Sequence, residues 1–206
     1  MTTVFVDVGV SLDGYIAGPN AGPGNPMGGG AVRIHEWVFP LATFRERLGL
    51  GEGGETGPDD ERVRRVFERT GAYIMGRRMF DEGEVSWPER APFRAPVFVL
   101  THHARGPWVR PGGTTFHFVT DGLGSALQRA RAAAGGRDIR ISGGADTIRQ
   151  YLAAGVVDEM TLHVAPILLG RGNRLFDSLD PSSLKLEAES VGGSPRVTHI
   201  NYRMTR

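Results

Sequence analysis

Four short stretches carry residues able to hold a phosphate, read a sugar or move a proton. Gly143 and Gly144 stand between an apolar strand pattern and the start of a helical one. The free N–H groups of a helix N-terminus suit an anion, and glycine lets a phosphate come close to the backbone. Such turns also use glycine for packing alone, and Asp146 would compete with a phosphate unless it turns aside to cap the helix. Arg77 and Arg78 follow directly on the strand-like "AYIMG". Two arginines there can grip a phosphate through paired, charge-assisted hydrogen bonds, or simply be solvated. Thr101, His102 and His103 follow "VFVL"; their hydroxyl and imidazole groups suit a ribose or its 2′-phosphate, or form an ordinary polar turn. Asp13, in "SLDGYIAGP", sits where a carboxylate can orient or deliver a proton, with Ile16 and Ala17 beside any ligand held there. An Asp-Gly turn without chemistry is the other reading of that segment.

These stretches share a location: each follows a predicted strand. "VFVDVGV" (Val4 to Val10), "AYIMG", "PVFVL", "TFHFVT" and "DIRIS" are short apolar runs, the form of buried parallel strands. Helical spacing falls between them. Leu41, Phe44 and Leu48 share one face behind Pro40, which a first helical turn tolerates. Val63, Val66 and Phe67 form the stripe of a second helix, with Asp59 or Asp60 placed to cap it. Leu123, Leu127 and Ala130 face inward in a third, and "TIRQYLAAG" is a fourth. "EMTLHVAPILLG", "LKLEAESV" and "VTHINYRM" alternate clearly, the last two joined by "GGSP", which predicts antiparallel strands at one side of the sheet. Gly18 to Ala31 reads as a long surface loop. The expected fold is α/β, a mixed and mostly parallel sheet with helices on both faces, in a single domain spanning 1–206. In such a sheet the strand ends meet along one edge, where a ligand crevice forms.

The 24 basic and 23 acidic residues leave a net charge of +1, which offers no field for nucleic acid or an anionic membrane. Of the basic residues only Lys185 is a lysine; genomic composition bias explains this, and a phosphate-rich ligand would also favour arginine. No apolar run reaches the ~18 residues of a membrane span, and the strand pattern beginning at the N-terminus is unlike a signal peptide. The absence of cysteine excludes disulfides and thiolate chemistry and suits a reducing cytoplasm. No metal is expected: His102 and His103 lack partners at ligand spacing, and His35, His117, His163 and His199 are scattered, His117 and His163 within strands.

Taken together, "SLDGYIAGP", "YIMGRRMFDEG", "VFVLTH" and the stretch from Ile141 to Asp177 resemble the dihydrofolate reductase-like superfamily. Within it they resemble most the reductase domain of the bifunctional riboflavin-biosynthesis deaminase-reductase and its stand-alone relatives. The resemblance implies a three-layer α/β/α fold and an NADPH-dependent reductase acting on a small heterocyclic substrate, the ribosylamino-pyrimidine of riboflavin synthesis or a dihydropterin. A nucleotide-binding module without turnover is the alternative. Carried over residue by residue, Gly143, Gly144, Ala145 and Thr147 would hold the pyrophosphate, Gly76, Arg77 and Arg78 other cofactor phosphates, and Thr101 and His102 the region of the adenosine 2′-phosphate. Ile16 and Ala17 would lie beside the nicotinamide, and Asp13 would stand at the substrate. Glu36 is the nearest counterpart of the folate enzymes' acidic residue. Trp37 and Phe80 are placed to wall the substrate pocket, with burial as core aromatics the default reading. No zinc-ligand cysteines are present for the paired deamination. A homodimer through the antiparallel tail is expected, since exposed sheet edges need cover.

Overall fold

A computed structural model describes residues 2–205. Among the described residues there are eleven strands: β1 (Val4–Ser11), β2 (Tyr15–Ala17), β3 (Thr70–Gly76), β4 (Pro96–Leu100), β5 (Trp108–Arg110), β6 (Thr114–Val119), β7 (Asp138–Gly143), β8 (Glu159–Ala165), β9 (Asn173–Arg174), β10 (Lys185–Ser194) and β11 (Val197–Thr205). The α-helices are α1 (Ala42–Arg47), α2 (Pro58–Arg69), α3 (Arg77–Glu84), α4 (Leu123–Ala133) and α5 (Ala145–Ala153). Nine strands form one sheet in the order β10-β11-β8-β1-β7-β3-β4-β6-β5, and β2 pairs with β9 apart from it. The middle of the sheet, from β8 to β6, is parallel. The antiparallel pairings lie at its two ends.

Alternation along the parallel strands feeds two separate cores, which makes the molecule three layers thick. In β3, Ala72 and Ile74 join the core that includes Ala126, Ala130, Ile148 and Tyr151 of α4 and α5. Tyr73 and Met75, pointing the other way, join Phe80 and Phe116 in a second core. β1 runs between β7 and β8, and all of its residues but Val8 are buried. A strand covered on both faces needs apolar side chains on both, which is why it reads as a nearly unbroken run.

Several local expectations are corrected. The strand beginning at Glu159 stops at Ala165, because Pro166 cannot donate to a ladder. It runs parallel to β1 on one side and antiparallel to β11 on the other, so the antiparallel pairings at this end of the sheet are β8 with β11 and β11 with β10. α1 starts at Ala42, after Pro40, because backbone bonds between Glu55 and both Pro40 and Ala42 hold that segment extended. α2 opens at Pro58 behind Gly57 without a side-chain cap. Asp60 instead accepts from the Thr43 N–H at 2.7 Å, and Asp59 reaches His199. α3, β5 and the small β2–β9 ribbon carry no separate signal in the sequence reading. Part of the long loop is anchored, as the Met27 N–H donates to Glu82 of α3 at 2.9 Å. No helix among the described residues is long and apolar enough to cross a membrane.

Candidate active site

Along the C-terminal ends of the parallel strands lies a cavity of about 780 Å³. Three helices begin at its wall, α3 after Gly76, α4 after Gly122 and α5 after Gly144, and none has a side-chain cap on its N-terminus. Uncapped N-termini leave N–H groups without intrahelical acceptors, and three of them converging make a donor-rich, positively polarised wall. The peptide between Gly143 and Gly144 is cis. Asp146 does not cap α5; its carboxylate is paired with Arg149 three residues on, which offsets its charge near the helix start.

Every residue expected around a cofactor lines this one cavity: Ile16, Ala17, Gly76, Arg77, Arg78, Thr101, His102, Gly143, Gly144, Ala145 and Thr147. Their surroundings differ. Arg77 Nε donates to Asp81 at 2.6 Å, so its charge is partly committed within α3. Arg78 is exposed, and no ion pair to it is found among the described residues. Thr101 is buried, its hydroxyl accepting from the His103 N–H at 3.1 Å, while His102 and His103 face solvent at the rim. The volume, the converging N–H groups and the two arginines fit a phosphate-rich dinucleotide.

The residues expected at the substrate fare differently. Asp13 lines neither this cavity nor the smaller one beside it. The Ser11 hydroxyl donates to it at 2.6 Å, and the Leu169 and Gly170 N–H groups do so at 3.1 and 2.7 Å. The Ser11 bond, aided by those backbone donors, holds its carboxyl at about 2, and through these bonds Asp13 fastens the loop after β8. Glu36 is exposed and lines neither cavity, whereas its neighbour His35, at the end of the turn over Ala31–His35, lines both. Phe80 is fully buried among Trp87, Trp108, Phe116 and Phe118, a core aromatic and not a pocket wall. Trp37 is buried and does line the smaller cavity.

That smaller cavity, about 180 Å³, abuts the larger, and Val8, Gly9, His35, Met79 and Ser142 line both. Gly9 makes this possible: a Cβ there would stand 2.8 Å from Ile34 Cγ2 and 3.2 Å from His35 Nε2. Phe44, Val63, Val66 and Phe67 supply an apolar wall. Asp7, Arg140 and His163 line it as well, three residues that nothing in the sequence pattern joins into a site. Asp7 Oδ2 is 3.0 Å from His163 Nε2, and Asp7 Oδ1 is 3.0 Å from the Arg140 guanidinium. Burial acts to raise the Asp7 carboxyl, but His163 and Arg140 outweigh it and hold the group ionised, well below the carboxylate range. Burial pushes His35 down to about 4, so its imidazole is neutral near pH 7. Among the lining residues, His35 Nδ1, Trp37 Nε1, Arg140 Nε and Ser142 Oγ are buried polar atoms without a protein partner. Orphaned polar atoms at a cavity are costly unless a ligand or water satisfies them. The only trace of this cluster in the sequence is a lone carboxylate, Asp7, inside an otherwise apolar strand.

Comparison with known proteins gives these arrangements a context. Residues 2–199 match the family described as the RibD C-terminal domain. No curated protein matches the chain. A structure from Shewanella sp. PV-4, described as a riboflavin biosynthesis protein, is 25% identical, with a TM-score of 0.68 and full coverage of both chains. The diaminohydroxyphosphoribosylaminopyrimidine deaminase/5-amino-6-(5-phosphoribosylamino)uracil reductase of Thermotoga maritima is 12% identical with a TM-score of 0.62; 99% of this chain is covered, but 57% of that one. Dihydrofolate reductase from Enterococcus faecalis, complexed with NADP(H) and RAB-propyl, is 11% identical with a TM-score of 0.53, covering 99% of this chain and 97% of that one. The last two likenesses establish the dihydrofolate reductase-like fold.

Proposed function

The chain belongs to the RibD C-terminal domain family, and from that premise we propose that it is an NADPH-dependent reductase of the riboflavin-pathway type. The observation that carries this reading is the convergence of three uncapped helix N-termini on one cavity that opens onto a second, partly apolar one. The backbone N–H groups from Gly144 to Thr147 would hold the pyrophosphate, and Arg78 and His102 the 2′-phosphate, with Arg77 and Thr101 beside them. Ile16 and Ala17 would lie along the nicotinamide, which supplies the hydride when bound.

The substrate's reacting group would enter the smaller cavity. The indole N–H of Trp37 and the Nε–H of Arg140 are strict donors, and Ser142 can donate as well. This edge suits a ring with carbonyl acceptors, such as 5-amino-6-(5-phosphoribosylamino)uracil. A 2-aminopterin presents donors and needs a free carboxylate, and Asp7 is already engaged on both oxygens. That favours the pyrimidine over the dihydropterin. The protein would work in the cytoplasm as a homodimer, with β10, exposed along its length, as the edge that a second copy would cover. Sedimentation showing only monomer at high concentration would remove the dimer.

The test of the reductase reading is to mix the protein with NADPH and 5-amino-6-(5-phosphoribosylamino)uracil and follow nicotinamide absorbance. The expected outcome is NADPH oxidation that depends on the pyrimidine, with little on dihydrofolate. Tight NADPH binding by calorimetry without oxidation across a broad substrate panel would instead favour a nucleotide-binding module without turnover.

A further inference from the structure

Behind the smaller cavity five side chains form one hydrogen-bonded line, from Asp59 on α2 through His199, His163 and Asp7 to Arg140. His199 Nε2 is 3.1 Å from Asp59 Oδ1, His199 Nδ1 is 2.7 Å from His163 Nδ1, and His163 Nε2 is 3.0 Å from Asp7 Oδ2. Both imidazoles are buried, and the Trp37 ring covers both at centroid distances of 4.9 and 5.0 Å. β11 and β8 create the contact by pairing His199 directly opposite His163.

Counting protons along this line sets its charge. Ionised carboxylates only accept, so each Nε2 that faces one must carry a proton. The two Nδ1 atoms, 2.7 Å apart, need one proton between them, because two bare lone pairs repel and two N–H groups clash. Three protons on four nitrogens are one imidazole plus one imidazolium. A fourth proton is refused well into acid: burial and then the charge on His163 push His199 down to about 4. The other charges facing the pair are Asp7 on β1, Arg140 on β7, and Asp59 and Arg62 on α2, with neutral His35 beyond them. Two carboxylates and two guanidiniums cancel, so the charge shared by the histidines is the net charge of the cluster.

We propose that His163 and His199 hold a single excess proton between them and act as positioning residues for the smaller cavity. The charged pair fixes Asp7. Asp7 in turn fixes one terminal nitrogen of Arg140 through its carboxylate at 3.0 Å and its backbone oxygen at 2.7 Å. This leaves the Arg140 Nε–H as a set donor without a protein partner. Its use in orienting substrate rests on the reading of the smaller cavity given above; the shared proton itself does not.

Nitrogen-15 NMR of the protein without cofactor or substrate tests the shared proton, and so stands or falls independently of any turnover. Near neutrality, the four ring nitrogens should report two Nε2–H groups and two Nδ1 atoms with matched, averaged shifts. The Arg140 Nε–H cross-peak should be sharp while the pair is charged and broaden at the pH where it discharges. Asp59→Asn removes the outer carboxylate and should lower that pH by about one unit or more, a tenfold loss of proton affinity; Asp59→Glu should restore it. Two fully bare ring nitrogens in the unaltered protein near neutrality, whether from a neutral pair or a protonated Asp59, would overturn the proposal. So would an Arg140 signal indifferent to the titration of the pair. The measurement on the unaltered protein decides the first point even if the variants fold poorly.

Discussion

Gly76 lies directly against the hydroxyl of Thr147: a methyl group at position 76 would overlap Thr147 Oγ1. The end of β3 and the first turn of α5 are thus fitted together at the wall of the larger cavity. Gly76→Ala should force the two apart at a cost of about 1–3 kcal/mol. NADPH affinity should fall at least as steeply, since both elements line the proposed phosphate site. Fluorescence titration with NADPH alongside thermal melts checks this; unchanged affinity would separate the turn from cofactor binding.

Arg78 is the arginine left available for a ligand, whereas Arg77 already donates to Asp81. Arg78→Ala should weaken NADPH by about 10- to 100-fold, the worth of a charge-assisted hydrogen bond. NADH should change little and Arg77→Ala should do less. Equal losses for the two cofactors would show that neither arginine reads the 2′-phosphate.

Asp13 accepts three hydrogen bonds that tie the chain after β1 to the loop after β8. Asp13→Asn should lower the melting temperature by about 2–4 °C and leave turnover at saturating substrate within a small factor. Complete loss of turnover in a protein that melts normally would restore Asp13 to the chemistry.

His35 links stability to pH. Its folded value is about 4, against 6.5 for an ordinary histidine, so the unfolded chain binds the proton first. Its contribution is whole above the ordinary histidine range and is lost as pH falls from 6.5 towards 4. Discounted because the residue is only partly buried, the loss is on the order of 2 kcal/mol. Denaturant melts across that range should show His35→Gln with a flatter slope than the parent; parallel slopes would mean the ring is protonated in the fold.

The larger cavity was legible in the sequence because each wall segment is local: a buried strand writes itself as an apolar run, and the glycine, arginine or histidine that follows sits at its end. The smaller cavity was not. Asp7, Asp59, Arg140, His163 and His199 lie on four strands and a helix, and they meet only through strand register. The same limit applies to Phe80, whose position just after the arginines does not by itself tell a pocket wall from the core aromatic that it is. Glu36 and His35 are neighbours, and only the direction of the turn that carries them decides which faces inward.

The place of β1 bears on how the protein is made. The Thr3 N–H bonds to Asp138 across 135 residues, and both neighbours of β1 in the sheet come from the last third of the chain. At about 5–20 residues per second, the first strand waits roughly 10 s outside the ribosome before either neighbour is translated. A sticky apolar ribbon therefore emerges long before the strands that shelter it, so the yield of native protein in cells should depend on how well chaperones guard that strand.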